Sequence, residues 1–185
     1  MTELLWVIPA LPLLGAFVLI TLGTKLSRSA ASFVGAGSVG LSALLVILIG
    51  LNYVPSSGPF RQVLWQWMDV AGFSPSFGFH LDSLSMVFVF VITFVGFLIH
   101  VYSTEFMAED EGFTRFFAYL NLFVASMLIL VLADNLVLMY LGWEGVGLCS
   151  YLLIGFWYEE KKNGDAARKA SIVTRVGDTA MAIGL

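Results

Sequence analysis

Five times along these 185 residues the chain runs through at least eighteen positions with almost no charge, and a sixth, more charged hydrophobic segment opens near Ala167. The runs span residues 4–23, 32–52, 83–102, 116–133 and 136–158, with an incomplete sixth over 167–185. An apolar stretch of about 20 residues matches a hydrocarbon core of roughly 30 Å. In lipid the backbone must satisfy its own N–H and C=O groups, so runs of this kind take helical form. Only 12% of the residues are charged and 59% are hydrophobic, where a soluble domain carries about 25% charge. The expected fold class is an all-α integral membrane protein, a bundle of five to six transmembrane helices.

Residues 53–82 interrupt this pattern and hold Pro55, Pro59 and Pro75. Within them 62–68 and 76–79 are short and aromatic-rich, with Gly72, Ser74 and Pro75 between. They predict an extramembrane β-hairpin between the second and third helices, with Trp65, Trp67 and Phe73 at headgroup depth. Asp82 and Asp134 are placed to cap the third and fifth helices. His80, beside Asp82, has no evident chemistry. Gly35, Gly37 and Gly40, with Ser38 and Ser42, let the second helix approach its neighbours closely.

Lys and Arg settle the expected orientation. The first, third and fifth connections hold Lys25, Arg28, Arg115, Lys161, Lys162, Arg168 and Lys169, and the opposite side holds Arg61. The rule that cytoplasmic loops are positive then puts the N-terminus outside. Lys169 and Arg168 are read as surface anchors. Glu3 is the lone charge before Lys25, so residues 1–23 lack the basic start of a removable signal and are read as a retained helix. The apolar residues 180–185 suggest the N-terminal part of a longer membrane protein. A single cysteine, Cys149, excludes an intrachain disulfide and is read as a packing residue. No phosphate loop, metal-spaced cluster, Ser–His–Asp set or nucleic-acid signature is present.

Glu144 stands out because it lies three residues from the middle of the 136–158 run. An ionised group at that depth costs about 3 kcal/mol on insertion scales. A glutamine would fix helix packing without that burden, so the functional reading is a proton-carrying carboxyl group. Gly142, Gly145 and Gly147 are expected to leave room beside it for water or a partner side chain. Arg175 and Asp178, three apart, share one face of the sixth segment and can pair. They are read as electrostatic tuners of Glu144. His100, near the inner end of the third segment, is a weaker candidate for proton uptake, since a lone histidine there is more often a packing residue.

The stretch FFAYLNLFVASMLILVLADNLVLMYLGWEGVGLCSYLLIGF over 116–156 closely resembles the L subunit of proton-pumping NADH:quinone oxidoreductase, respiratory complex I. PALPLLGAF at 9–17, GFHLDSLS at 78–85 and RKASIVTRVGD at 168–178 resemble the same family. The resemblance implies an antiporter-like helical bundle, of which this chain supplies roughly the first five and a half helices. It implies that Glu144 pairs with a lysine on a later helix, and that Arg175 and Asp178 belong to the same proton-transfer network. It implies other membrane subunits as partners, with flavin, iron–sulfur clusters and quinone in other chains and no cofactor in this one. It also implies a bacterial inner membrane or an equivalent energy-transducing membrane. Two alternatives stay open at this point: the large subunit of a multisubunit Na⁺/H⁺ antiporter, and a purely structural membrane subunit.

Overall fold

The computed structural model describes residues 4–53, 58–69 and 72–184, so Glu3, Pro55 and Leu185 lie outside the described residues. Among these it contains six α-helices and one two-stranded sheet: α1 Val7–Leu22, α2 Arg28–Leu51, β1 Phe60–Gln66, β2 Ser76–Leu81, α3 Ser83–Phe106, α4 Phe113–Leu132, α5 Leu136–Ile154 and α6 Lys161–Gly184. Helices α2 to α5, and α1 together with the 3-10 turn Gly23–Lys25 that continues it, are each long and apolar enough to cross a membrane. Helix α6 is not among them, because it starts six residues before Ala167 and takes in the charged stretch 161–169. The all-α membrane bundle with one antiparallel hairpin between α2 and α3 is therefore as expected.

Local chemistry sets the helix starts. Ser27 caps α2 by accepting from Ala30 N at 3.2 Å. Asp82 caps α3 by accepting from Ser85 N at 2.7 Å, while Ser85 Oγ accepts from Asp82 N at 2.8 Å, a reciprocal capping box. The fifth helix departs from expectation. Its cap is Asn135, which accepts from Leu138 N at 3.0 Å. Asp134 lies one residue too early to reach that turn, and its carboxylate is drawn to the hairpin. The helix also stops at Ile154, where Gly155 closes the last turn on Tyr151 O and Leu153 O, rather than continuing to Tyr158. Glu144 is consequently the ninth of nineteen helical residues.

Pro12 sits inside α1 and has no N–H for the carbonyl of Ile8. The gap is filled from the next helix: Ser42 Oγ, fully buried, donates to Ile8 O at 2.8 Å. In lipid a freed carbonyl needs such a partner, and this one also ties α1 to α2.

Helix α4 is the most buried of the five candidate spans and α5 the least. Close packing follows the small residues. A Cβ on Gly35 would strike the Phe117 ring at 2.6 Å, and one on Gly40 would meet Phe97 at 2.9 Å, whereas Gly37 has nothing within 4 Å. Two apolar clusters form the interior. One, with Leu5, Ile49, Leu81, Leu132 and Leu138, lies under the hairpin. The other, with Leu19, Ala31, Met107, Phe117 and Phe156, closes the opposite end.

The strands pair antiparallel, Phe60 opposite Leu81 and Gln66 opposite Ser76, with an irregularity between Val63 and Trp65. The first strand begins two residues earlier than the sequence suggests, and the second runs on to Leu81. Trp65 stacks on Phe77 with ring centroids 4.4 Å apart. Trp65, Trp67 and Phe73 are all exposed. Asp134, whose side chain is fully buried, holds the sheet to the α4–α5 corner: it receives Arg61 Nε and Nη2, both at 2.9 Å, and Ser76 Oγ at 3.2 Å. Gly78 is required there, since a Cβ would collide with the Asp134 carboxylate.

Candidate functional site

Helix α5 turns back into α6 through residues 155–160, so positions with a roughly constant number sum face each other. Trp143 meets Asp178, and Glu144 meets Arg175. Arg175 Nη1 donates to Glu144 Oε2 and lies 3.7 Å from Asp178 Oδ2. Trp143 Nε1 donates to Asp178 Oδ1 at 2.7 Å. Asp178 is buried at 5% exposure. The side chains of Glu144 and Arg175 are 26% and 48% exposed.

One guanidinium thus stands between two carboxylates in an apolar setting. Charges removed from water are stable only when paired and hydrogen-bonded, and here each carboxylate has a partner: Glu144 has Arg175, and Asp178 has the Trp143 indole with Arg175 at longer range. A carboxylate that loses its cation in such a place is neutralised most cheaply by taking a proton. Asp178 and Trp143 also line a cavity of about 600 Å³ between α4, α5 and α6, otherwise walled largely by apolar side chains such as Met127, Leu130, Val146 and Val173.

The expected room beside Glu144 is only partly present. A Cβ on Gly142 would lie 2.6 Å from Leu130 N, and one on Gly145 would lie 2.6 Å from Ser126 Oγ. These two glycines bring α5 against α4 instead of opening a space for water. Gly147 alone faces an opening, with nothing within 4 Å. The basic companion of Glu144 among the described residues is Arg175, a residue of this chain.

His100 is not brought to this cluster. It is fully buried on α3, with its Nδ1 2.7 Å from Gly96 O and its Nε2 3.3 Å from Asn121 Nδ2. Arg168 is exposed and lies 4.0 Å from Asp165, and Lys169 is also exposed. Two residues escaped the sequence reading, Trp143 of this cluster and Asn121 beside His100. Trp143 adjoins Glu144 and passes for one more membrane aromatic. Asn121 is the lone amide in the 116–133 run, a signal that was available.

Comparison with known proteins follows the same lines. A family model described as NADH-Ubiquinone oxidoreductase (complex I), chain 5 N-terminus, matches residues 67–117. A second, NADH:quinone oxidoreductase/Mrp antiporter, TM, matches 133–185. NADH-quinone oxidoreductase subunit L of Escherichia coli is 53% identical over 95% of this chain and 29% of its own length. The Mycobacterium tuberculosis subunit L is 46% identical over 100% of this chain and 29% of its own length. The chain therefore spans under a third of the length of these relatives. A solved Mrp complex from a Dietzia species is similar in structure, with a TM-score of 0.79 and 26% identity over 97% of this chain and 18% of that one.

Proposed function

Since the chain belongs to the antiporter-like membrane subunits shared by NADH:quinone oxidoreductase and Mrp antiporters, with L subunits among its relatives, we propose that it carries a proton-transfer switch of a proton-translocating NADH:quinone oxidoreductase. The observation that carries this reading is the sharing of Arg175 between Glu144 and Asp178. Glu144 is the proton-accepting group. When Arg175 turns toward Asp178, Glu144 loses its cation and takes a proton; when Arg175 returns, the proton leaves. Asp178, fixed by Trp143, is the alternative seat for the guanidinium. Lifting one charge through 100 mV requires about 2.3 kcal/mol, so the change of partner moves a proton against the membrane potential when it alters the proton affinity of Glu144 by at least that much.

The driving reaction, quinone reduction, lies in other subunits, which hold the flavin and iron–sulfur clusters. The coupling to Glu144 is then a long-range free energy between sites. Neighbouring antiporter-like membrane subunits are the proposed partners, and protons the transported species. The proposed setting is a bacterial inner membrane or its equivalent, with the N-terminus outside according to the distribution of Lys and Arg.

The structural similarity to the Mrp complex favours one second reading, a subunit of a multisubunit Na⁺/H⁺ antiporter. The deciding experiment places Glu144→Gln in the full-length subunit of the assembled complex, in inverted vesicles. Quinone reduction with NADH continues while proton pumping falls severalfold. Unchanged pumping would make Glu144 a packing residue and overturn the proposal. Proton movement driven by a Na⁺ gradient, with no response to NADH, would establish the antiporter reading instead.

A further inference from the structure

Asp178 is nearly buried, yet only one of its carboxylate oxygens receives a hydrogen bond among the described residues. Oδ1 has the Trp143 indole, while Oδ2 has the Arg175 guanidinium no nearer than 3.7 Å. Away from bulk water, Oδ2 needs a water or a proton. Asp178 lines the cavity of about 600 Å³ between α4, α5 and α6. A water needs about 10–15 Å³ of such space and roughly two to four polar partners. Those partners follow the helical repeat: Ser171, Thr174 and Asp178, at steps of three and four along α6, all line the cavity. Ser150 and Tyr151 line it from α5. Ser150 Oγ donates to Val146 O at 2.8 Å and Thr174 Oγ1 to Ser171 O at 3.0 Å, so each hydroxyl keeps a lone pair for a water. Gly147 lines the same wall, and a Cβ there would meet nothing within 4 Å.

This cavity does not stand alone. From Asp178 to Ala170 it follows α6 for about 12 Å at helical rise. At Tyr151 it adjoins a second cavity of about 220 Å³, lined by Gly155, Gly164 and Ala167 where α5 turns into α6. Arg115, Phe156 and Tyr158 are shared between that one and a third, of about 590 Å³, whose rim carries Asp110, Glu111, Glu159 and Glu160. Arg115 is held by the Phe156 and Tyr158 rings, 4.8 and 5.0 Å from their centroids, and the four carboxylates outweigh its charge at that mouth. Glu111 and Glu159 are exposed, so they exchange protons with bulk water.

We propose that these three cavities form a hydrated proton-entry route from the surface at the 155–160 connection to Asp178, with Ser150, Ser171 and Thr174 as its hydroxyl lining. That surface is the one the Lys and Arg distribution assigns to the inside. The proposal rests on the proton-transfer reading of the Glu144, Arg175 and Asp178 cluster and adds the path by which its proton arrives. The remaining walls are largely apolar, which confines water to this line of oxygens. At each hop an oxygen receives one proton and releases another, so no lining group changes charge. Asp178 holds the proton while Arg175 is on Glu144. As the guanidinium arrives Asp178 gives the proton up, and Glu144, left without its cation, takes it.

The test introduces single cysteines into the full-length subunit of the assembled complex, with Cys149→Ala as background. Sealed vesicles of either orientation are treated with 2-aminoethyl methanethiosulfonate, and cysteine trapped in the lumen consumes any reagent that leaks through. The reagent attacks the thiolate, so it reports a thiol in contact with water. Ser171→Cys and Thr174→Cys are expected to label from the inner side about tenfold faster than Ile172→Cys, which is exposed on another face of the same helix. Labelling at 171 or 174 is then expected to lower the protons pumped per NADH severalfold relative to the same variant unlabelled. No labelling at 171 and 174, equal rates at 172, or labelling from the outer side alone would overturn the proposal. Labelling without loss of pumping would overturn the route as well. If Thr174→Cys does not assemble, Ser171→Cys decides alone, and failure of both to assemble would make this face a packing surface and end the proposal. Labelling reads water rather than pumping, so a dry cavity refutes the route and leaves the Glu144 reading to its own experiment.

Discussion

Trp143 Nε1 and Asp178 Oδ1, 35 residues apart in sequence, are joined at 2.7 Å across the α5–α6 contact. The indole is the hydrogen-bond donor that holds this buried carboxylate in place while Arg175 is shared with Glu144.

Trp143→Phe tests that arrangement. A hydrogen bond to a charged group is worth about 1.5–3 kcal/mol, and phenylalanine keeps the ring but not the donor. The complex is expected to assemble and reduce quinone normally while pumping several times fewer protons per NADH. Vesicle acidification measured alongside NADH oxidation reads both quantities, and an unchanged ratio would leave the indole a packing group only.

Ser42 and Pro12 make a pair with a built-in rescue. Ser42→Ala leaves the Ile8 carbonyl without its donor and is expected to cost about 1–3 kcal/mol, read by detergent unfolding of the full-length subunit. Pro12→Ala restores a backbone N–H for the same carbonyl. The double variant should therefore recover most of the loss, and a purely additive result would refute the assignment.

Arg61 is 59% exposed while its partner Asp134 is fully buried. Arg61→Ala accordingly strands a buried carboxylate, an expected cost of about 1–3 kcal/mol. Asp134→Asn removes that charge, and combining it with Arg61→Ala should be milder than Arg61→Ala alone. Protease cutting in the hairpin, followed on sealed vesicles, should rise in the order wild type, double variant, Arg61→Ala.

Acid should loosen the start of α3. The Ser85 backbone N–H, and then its hydroxyl, hold the Asp82 carboxyl below its ordinary value of 3.8. A depressed folded value means that the stabilisation is complete above the unfolded value and disappears as the pH falls through the folded one. The helical signal of the solubilised subunit should therefore show an acid limb below about pH 4. Asp82→Asn, which can cap but not titrate, should lack that limb.

The helices were legible because each apolar run has the length of a bilayer, and the capping box at Asp82 because its two residues are local. Glu144, Arg175 and Asp178 could be singled out as charges inside apolar stretches, but the sequence left their partners to be inferred. The contact between Trp143 and Asp178 depends on how α5 folds back on α6, which no local pattern encodes. Asp134 shows the limit clearly. Position alone made it a cap, yet Asn135 beside it serves as well, and the nearby Arg61 decides which of the two turns away. Gly142 and Gly145 were misjudged for the same reason, since a missing side chain looks like space until the helix that fills it is known.

The three residues Ala133, Asp134 and Asn135 join α4 to α5, and they are also a rung of the hairpin: Phe79 bridges Ala133, Asp134 N donates to Gly78 O at 3.2 Å, and Asn135 Nδ2 donates to Ser76 O at 2.7 Å. The helix bearing Glu144 is thus geared at its first turn to a stiff ribbon, about 12 Å from the acid at 1.5 Å per residue. A tilt of that helix cannot be absorbed by slack in the corner, so it must shear the ribbon, and an event deep in the bilayer is announced at the surface.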